Sequence, residues 1–103
     1  MAKTTKIDVS ACDNELHIIA TTPSGTSEVC HITTGSGDPV SYKVVPQSIL
    51  PAGKYSLTMV GINWGGPSNF KVALTTGGVV QNFASAPNQA VGVVWSVTVP
   101  IEV

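Results

Sequence analysis

The sequence predicts an all-β fold: a single-domain antiparallel β-sandwich of about seven or eight strands, of the immunoglobulin-like or jelly-roll Greek-key kind. Residues that favour pleated strands dominate the chain, with 15 valines, 11 threonines and 7 isoleucines. The 10 glycines and 7 prolines recur at short intervals, as expected when turns separate many short strands. The C-terminal segment alternates between apolar and polar residues, which is the pattern of a half-buried strand.

Length and charge limit the classes of function. The 103 residues match the usual size of one domain, so residues 1–103 are predicted to form a single β-sandwich domain. Charged residues make up 11% of the chain, against roughly 25% in an average protein. An apolar fraction of 43% with this little charge excludes intrinsic disorder, and a net charge of −1 leaves no basic footprint for nucleic acid.

No segment is typical of membrane insertion or export. No window approaches the roughly 18 uninterrupted apolar residues of a transmembrane helix, so no transmembrane segment is predicted. The first eight residues have no apolar stretch after their lysines, so no signal peptide is predicted in this chain. A cytoplasmic protein has such a start, and so does a mature exported chain with an added start methionine, so the compartment stays open.

Eight strands follow from the apolar runs and the turns between them. Pro23-Ser24-Gly25 separates the second strand from the third, which form a hairpin. Gly77 and Gly78 tolerate the positive φ of a tight hairpin between the sixth and the seventh strands. The predicted strands cover residues 4–10, 15–22, 28–34, 40–45, 54–62, 69–75, 79–83 and a long last strand from residue 90.

The last strand carries the strongest structural signal. Every second residue is apolar and is expected to lie on the face toward the core: Val91, Val93, Trp95, Val97, Val99, Ile101 and Val103. The opposite face holds Gly92, Ser96, Thr98 and Glu102. Seven alternations in a row predict a strand that is half-buried along its whole length, with Trp95 as a core residue.

The segment Gly53-Lys54-Tyr55-Ser56-Leu57 resembles the Gly-x-Tyr-x-Leu corner that opens a strand in many Greek-key sandwiches. The resemblance implies that the Tyr55 hydroxyl donates a hydrogen bond back to the backbone. In immunoglobulin domains this strand is next to last, whereas three predicted strands follow it here. The chain as a whole is similar in texture to small bacterial β-sandwich proteins, and no functional motif accompanies that similarity.

The two cysteines are predicted to be buried or half-buried free thiols. A hairpin about residues 23–26 places Cys30 opposite Ile19, with Cys12 about seven residues further along, or ~20 Å away at ~3.3 Å per residue. A disulfide needs Cα atoms within about 7 Å of each other. A Cys12–Cys30 bridge remains the alternative if the chain folds back at Asp13-Asn14.

No group of residues typical of catalysis emerges, so the protein is predicted not to be an enzyme and to need no cofactor. Gly35-Ser36-Gly37-Asp38 lacks the strand-to-helix setting of an activated serine, because Pro39 and a strand follow it. The six acidic residues are scattered, apart from Asp13 and Glu15 beside a turn. We interpret them as solvated charges.

The histidines and cysteines suggest a zinc site, but their spacing argues against one. Cys30 and His31 are adjacent on a strand, so their side chains point to opposite faces. Neither the Cys-x2-Cys nor the His-x3-His spacing of zinc sites is present. His17 and His31 are expected to face each other across the hairpin as an ordinary pair, and no metal site is predicted.

The loop around Trp64 is the most promising ligand site. Glycines expose the backbone there, and an asparagine lies on each side of the ring. An exposed indole can cover the apolar face of a sugar while amides bond to its hydroxyls. The predicted ligand-binding residues are Asn63, Trp64 and Asn69, although the sequence favours the other position of Trp64, in which the ring folds inward and plugs the end of the sandwich. Amide-rich segments at 81–82 and 87–89 are candidates for the same end.

These observations predict a non-catalytic binding or interaction module, lectin-like or adhesin-like, with a carbohydrate or protein ligand at the Trp64 loop. The alternative is a structural protein that self-associates into a homo-oligomer through a sheet edge. The last strand is long and carries few charges, and Pro100 blunts one side of its edge. The sequence slightly favours an interior position for that strand, which would remove the edge.

Overall fold

The structure is a computed structural model that describes residues 2–35 and 37–103. Its strands are β1 (Thr4–Asp13), β2 (Glu15–Thr22), β3 (Gly25–Thr33), β4 (Tyr42–Val44), β5 (Lys54–Asn63), β6 (Asn69–Thr76), β7 (Val79–Ala84) and β8 (Gly92–Glu102). A 3-10 turn at Pro46–Ser48 interrupts the strands. In the described segments, no helix is long and apolar enough to cross a membrane. Ser36, weighed above as a nucleophile, lies outside the described residues.

Two antiparallel four-stranded sheets pack against each other, which confirms the predicted all-β sandwich. One sheet has the strand order β4-β1-β6-β7 and the other has the order β3-β2-β5-β8. All eight predicted strands are present, because each apolar run in the sequence is bounded by turn residues. Strands β1 and β6 are central in the first sheet, β2 and β5 in the second, and the other four strands are edges.

The core lies between the two sheets and follows the period of two expected for strands. On β2, Leu16, Ile18 and Ala20 are buried, so Glu15 and His17 stand on the outer face. The largest buried apolar side chains are Phe70, Ile7, Leu16, Ile18, Leu57 and Met59. Burying a side chain of this size contributes about 1.5–3 kcal/mol each, so the core is the main source of stability.

Phe70 of β6 reaches across the sandwich and stacks on Trp95 of β8, with ring centroids 5.8 Å apart. A Cβ at Gly61 would lie 2.7 Å from the Phe70 ring, so glycine is needed where the ring crosses β5. Trp95 is half-buried and packs against the core, in agreement with the alternation. Because β6 faces β8, the free edges of β7 and β8 lie on the same side of the molecule, which we call the β7/β8 flank.

The last strand differs from its prediction in two respects. It is an edge strand that pairs only with β5, so the interior position that the sequence slightly favoured is wrong. A bulge at Val94 shifts the register between Gly61–Trp95 and Ile62–Val93. One extra residue reverses the alternation beyond it. Val91 and Val93 are therefore 67% and 66% exposed instead of facing the core.

The two turns predicted from local chemistry are confirmed. The Tyr55 hydroxyl donates to the Pro51 carbonyl oxygen at 2.6 Å, as the resemblance to the sandwich corner implies. Gly77 and Gly78 both have positive φ, 56° and 79°, and join β6 to β7 in a tight hairpin. Such turns depend on neighbouring residues, which is why the sequence predicts them well.

Cys12 and Cys30 are buried free thiols, as predicted, but the reason given for it was wrong. Cys12 lies on β1 in the opposite sheet, and its Sγ is 3.6 Å from the Ile32 carbonyl oxygen on β3. The chain crosses between the sheets at Asn14, so the two thiols face the same part of the core instead of lying ~20 Å apart along one hairpin. Burial raises the pKa of each thiol to about 11.

Candidate functional site

The Trp64 loop, residues 64–68, joins β5 to β6 at one end of the sandwich. Trp64 is 62% exposed, so the inward position that the sequence favoured, in which the ring plugs the sandwich, is wrong. The core of this sandwich can accommodate a tryptophan, because Trp95 packs against it. Lack of room is therefore not the reason why Trp64 is exposed. An exposed indole on a loop is a feature of ligand-binding surfaces.

Asn14, just before β2, and Glu15, the first residue of β2, hold Trp64 in place. The Asn14 carboxamide oxygen accepts hydrogen bonds from the backbone N–H groups of Trp64, at 2.8 Å, and Gly65, at 3.2 Å. The indole Nε1–H donates to Glu15 Oε1 at 2.8 Å. Backbone and ring are thus both held, and the flat face of the indole stays exposed to solvent.

The other two predicted ligand-binding residues occupy different environments. Asn63 is fully buried, and its amide nitrogen donates to the carbonyl oxygens of Gly66 and Ala90 at 2.9 and 2.8 Å. Its position therefore supports the loop from inside. Asn69 is half-buried at the start of β6, paired with Asp13, next to the residue that holds the Trp64 backbone.

The two amide-rich segments are separated by the fold. The Asn88 carbonyl oxygen accepts from the Ser68 N–H at 2.7 Å, so residues 87–89 do lie beside the Trp64 loop. Gln81 and Asn82 instead lie within β7, opposite Leu74 and Ala73, and belong to a sheet edge and not to a loop. Polar side chains on an exposed edge strand look the same in sequence as those of a loop.

A His–Glu cluster lies directly beside Trp64 on the outer face of the second sheet. His17 and His31 face each other across the hairpin, as predicted, and their rings stack with centroids 4.0 Å apart. Their Nε2 atoms both point at Glu15 Oε2, at distances of 2.9 and 2.6 Å. We include Glu28 in the cluster, because its carboxylate oxygens lie 3.9 and 4.0 Å from the two Nδ1 atoms.

A bulge brings Glu28 to this face. In the β2–β3 pairing, Ile18 is opposite Cys30 and Ile19 is opposite Glu28, so Val29 is the extra residue. Without the bulge, Glu28 would share the inward face of Cys30. Val29 and Cys30 are both buried, as expected where a bulge interrupts the alternation.

The surroundings of Glu15 favour its ionised form. The indole N–H of Trp64 and the imidazoles of His31 and His17 donate to the carboxylate, which lowers its pKa from the ordinary value. Only 15% of the Glu15 side chain is exposed. The carboxylate therefore acts as the acceptor that joins the tryptophan to the histidine pair.

The sequence did not single out Glu15 or Glu28 as site residues. A signal for Glu15 existed: in Glu15-x-His17 the two side chains share one face of a strand. Their proximity to Trp64 depends on the β2–β5 pairing, which aligns Glu15 with Ile62. For Glu28 there was no local signal, because a bulge is decided by how two strands pair.

A second candidate surface is the β7/β8 flank. Val79 and Val80 on β7, with Val91 and Val93 at β8, are between 57% and 68% exposed. No Asp, Glu, Lys or Arg occurs between residues 72 and 101. Two free strand edges without charge form a surface suited to pairing with another strand.

Three comparisons with known proteins give no further information: no family model, curated protein or solved structure matches the chain. The Trp64 loop and the His–Glu cluster offer an apolar ring face, a carboxylate and two imidazoles within one contiguous patch.

Proposed function

We propose that the protein is a binding module without catalytic activity that binds a carbohydrate through the Trp64 loop. The observation that carries the proposal is a tryptophan that is 62% exposed yet held by hydrogen bonds to its backbone and its ring nitrogen. An apolar ring at the surface is costly to hydrate, and a sugar ring that covers it removes that cost.

The way in which Trp64 is held favours binding. Ordering a flexible side chain on association costs about 0.5–1.5 kcal/mol, and a ring that is already ordered avoids most of this cost. The ring nitrogen is occupied by Glu15, so a ligand meets the flat face of the indole. Pyranose C–H groups pack well on such a face, while their hydroxyls remain at the polar rim.

The test is a glycan array with the wild-type protein, followed by calorimetry on the strongest hit. Trp64→Ala is expected to weaken binding at least ~30-fold, which corresponds to a loss of about 2 kcal/mol. Tyr42→Ala is the matched control, since Tyr42 is also an exposed aromatic residue but lies on β4 in the other sheet.

Tyr42→Ala should leave the affinity unchanged. A wild-type array without any hit would refute carbohydrate binding. So would an equal loss of affinity in the Tyr42→Ala and Trp64→Ala variants, because it would mean that any exposed aromatic residue adds unspecific adhesion.

Self-association through the β7/β8 flank is a second candidate function, and one specific observation favours it. The two edges combine four exposed valines with a stretch of residues, 72–101, that carries no charge. Edge strands are normally protected by charged side chains or by being short. β8 has eleven residues, and Glu102 is its only charged one.

Sedimentation velocity over a range of concentrations tests this second function. The wild-type protein is expected to dimerise as its concentration is raised to about 1 mM, and Val93→Lys is expected to abolish the dimer. Val45→Lys is the matched control, because Val45 is 49% exposed but lies outside the flank. A wild type that stays monomeric throughout, or a dimer that survives Val93→Lys, would rule this function out.

A further inference from the structure

We infer that Glu15, His17 and His31 form a binding site for a divalent transition-metal ion of the Zn²⁺ class. This inference does not rest on carbohydrate binding. It concerns the outer face of the β2–β3 hairpin, where one carboxylate and two imidazoles place their ligand atoms within 4.8 Å of one another. It also reverses the expectation from spacing alone, in which the histidines are an ordinary cross-strand pair.

The ligand atoms converge on one point. Each Nε2 atom points at the same carboxylate oxygen, Glu15 Oε2, at 2.9 Å from His17 and 2.6 Å from His31. The rings are nearly parallel, with an interplanar angle of 19°, and the Nε2 atom of each ring faces Glu15. The chain contains only two histidines, and both are in this cluster.

The size of the cluster suits a metal ion. Zn²⁺ binds imidazole nitrogen and carboxylate oxygen at about 2.0–2.2 Å, which places tetrahedral ligands roughly 3.3 Å apart. The two N···O distances of 2.9 and 2.6 Å would have to lengthen by less than 1 Å, which χ rotations of the exposed rings allow. The metal then takes the place of the Nε2 protons.

Glu28 is the residue near enough to supply the outer contact that such a site needs. A ligating imidazole donates its other N–H to a carboxylate or a carbonyl, which orients the ring. The Glu28 oxygens lie 3.9 Å from His17 Nδ1 and 4.0 Å from His31 Nδ1, so the Glu28 side chain has to move closer by about 1 Å to accept from a ring N–H. The Trp64 indole holds Glu15 Oε1, so Oε2, which faces both Nε2 atoms, is the oxygen that binds the metal as a single ligand atom.

The class of metal follows from the ligand types. Imidazole suits Zn²⁺, Cu²⁺, Ni²⁺ and Co²⁺, whereas Mg²⁺ and Ca²⁺ require mostly oxygen ligands. Three protein ligands leave a fourth position of a tetrahedral ion open. The side chains of His17 and His31 are 24% and 40% exposed, so that position faces solvent and can be filled by water or by a donor atom of a ligand.

The test is a titration of the full chain with ZnSO4, followed by NMR of the histidine ring protons and by calorimetry. We expect both histidine signals to change together and to saturate at one equivalent. His17→Gln and His31→Gln should each weaken Zn²⁺ binding by more than ~100-fold, and Glu28→Gln by about 10-fold, since outer contacts contribute less than ligands. Glu102→Gln, an acid on β8, is the matched control and should bind like the wild type.

Co²⁺ gives a second measurement that needs no variant. A site of nitrogen and oxygen ligands should produce the visible absorption of four- or five-coordinate Co²⁺ without the near-ultraviolet band of a cobalt–thiolate bond. A thiolate band would mean that Cys12 or Cys30 binds the metal, and would overturn the proposal. So would a change in only one histidine signal, or equal displacement of Zn²⁺ by Mg²⁺.

Trp64→Ala separates this site from the proposed function. It keeps all three ligands and removes only one contact to Glu15, so Zn²⁺ affinity should fall by no more than about 10-fold. Carbohydrate binding should be lost in the same variant. Failure of one inference would therefore leave the other standing.

Discussion

The β3/β4 flank and the β7/β8 flank of the sandwich each end in two strands with a free edge. The first contains a strand of three residues, β4, and carries Glu28 and His31 on β3 and Lys43 on β4. The second contains the eleven-residue β8 and no charged residue from 72 to 101. Nearly all of the few charged residues therefore lie away from the β7/β8 flank.

The difference shows that the few charged residues of the chain are placed unevenly over its surface. A short edge with charged side chains resists pairing with another strand, whereas a long neutral edge invites it. The His–Glu cluster on β2 and β3 belongs to the charged side, and the four valines that are more than half exposed belong to the neutral side. We therefore expect ligand or metal chemistry on one flank and contacts between chains on the other.

The largest expected effect tests the packing beneath the neutral flank. Phe70→Ala removes a fully buried ring that also stacks on Trp95, and should lower the free energy of unfolding by about 3–5 kcal/mol. Urea denaturation measures the change. Ile18→Ala is the matched truncation nearer the charged flank, because Ile18 lies opposite Cys30 of β3. It should lower the free energy of unfolding by about 2–5 kcal/mol.

A Phe70→Ala cost below about 3 kcal/mol, the lower end of the range for a buried phenylalanine, would mean that β8 is held by its hydrogen bonds to β5 and not by the ring. The Phe70–Trp95 stack would then contribute nothing to the stability of the neutral flank, and the two flanks would differ in charge alone.

The next effect concerns the two thiols in the core below β3. Burial raises the pKa of Cys12 and Cys30 from an ordinary 9.0 to about 11, so the folded protein keeps protons that the unfolded chain releases. The thiols' contribution to the free energy of unfolding is fully present below pH 9. It falls by roughly 2 kcal/mol for each thiol as the pH rises to 11. Unfolding curves at pH 7, 9, 10 and 11 measure it.

Cys30→Ala provides the control for that pH dependence, because it removes one of the two thiols and keeps the other ionisable groups. The variant should lose less stability between pH 9 and 11 than the wild type does. Identical pH profiles for the two proteins would show that the Cys30 thiol ionises as readily when folded as when unfolded.

The smallest expected effect lies at the corner where β5 begins beside the end of β8. Tyr55→Phe removes the hydroxyl that donates to Pro51 and should destabilise the protein by about 0.5–1.5 kcal/mol. Thermal unfolding measures the loss, and Tyr42→Phe, whose hydroxyl is on an exposed β4 residue, is the control. Equal effects of the two substitutions would mean that the corner does not help to anchor the neutral flank.

Several parts of the fold and the site were predictable because they depend on neighbouring residues. Apolar alternation located the eight strands, and the glycines at 77 and 78 marked a hairpin. The cross-strand approach of His17 and His31 was expected from the hairpin, although the predicted register placed Cys30 opposite Ile19 and the structure places it opposite Ile18. Trp64 was identified as the residue of interest from its place among glycines, although the sequence favoured a buried ring and the structure exposes it.

The rest depended on contacts between distant segments. Alternation is the same for an interior strand and an edge strand, so it did not reveal that β8 has a free edge. The bulges at Val94 and Val29 insert single residues where two strands meet, and each reverses which side chains face out. These bulges expose Val91 and Val93 and bring Glu28 to the histidines.

Local chemistry by itself therefore determined the class of fold, the number of strands and the turns, because β propensity and turn conformation are properties of short segments. Only the tertiary structure decided which strands are edges, which face each side chain takes beyond a bulge, and that Glu15 joins Trp64 to the two histidines. Those features depend on strand pairing over tens of residues, and the free energy of such pairing comes from packing that no short segment contains.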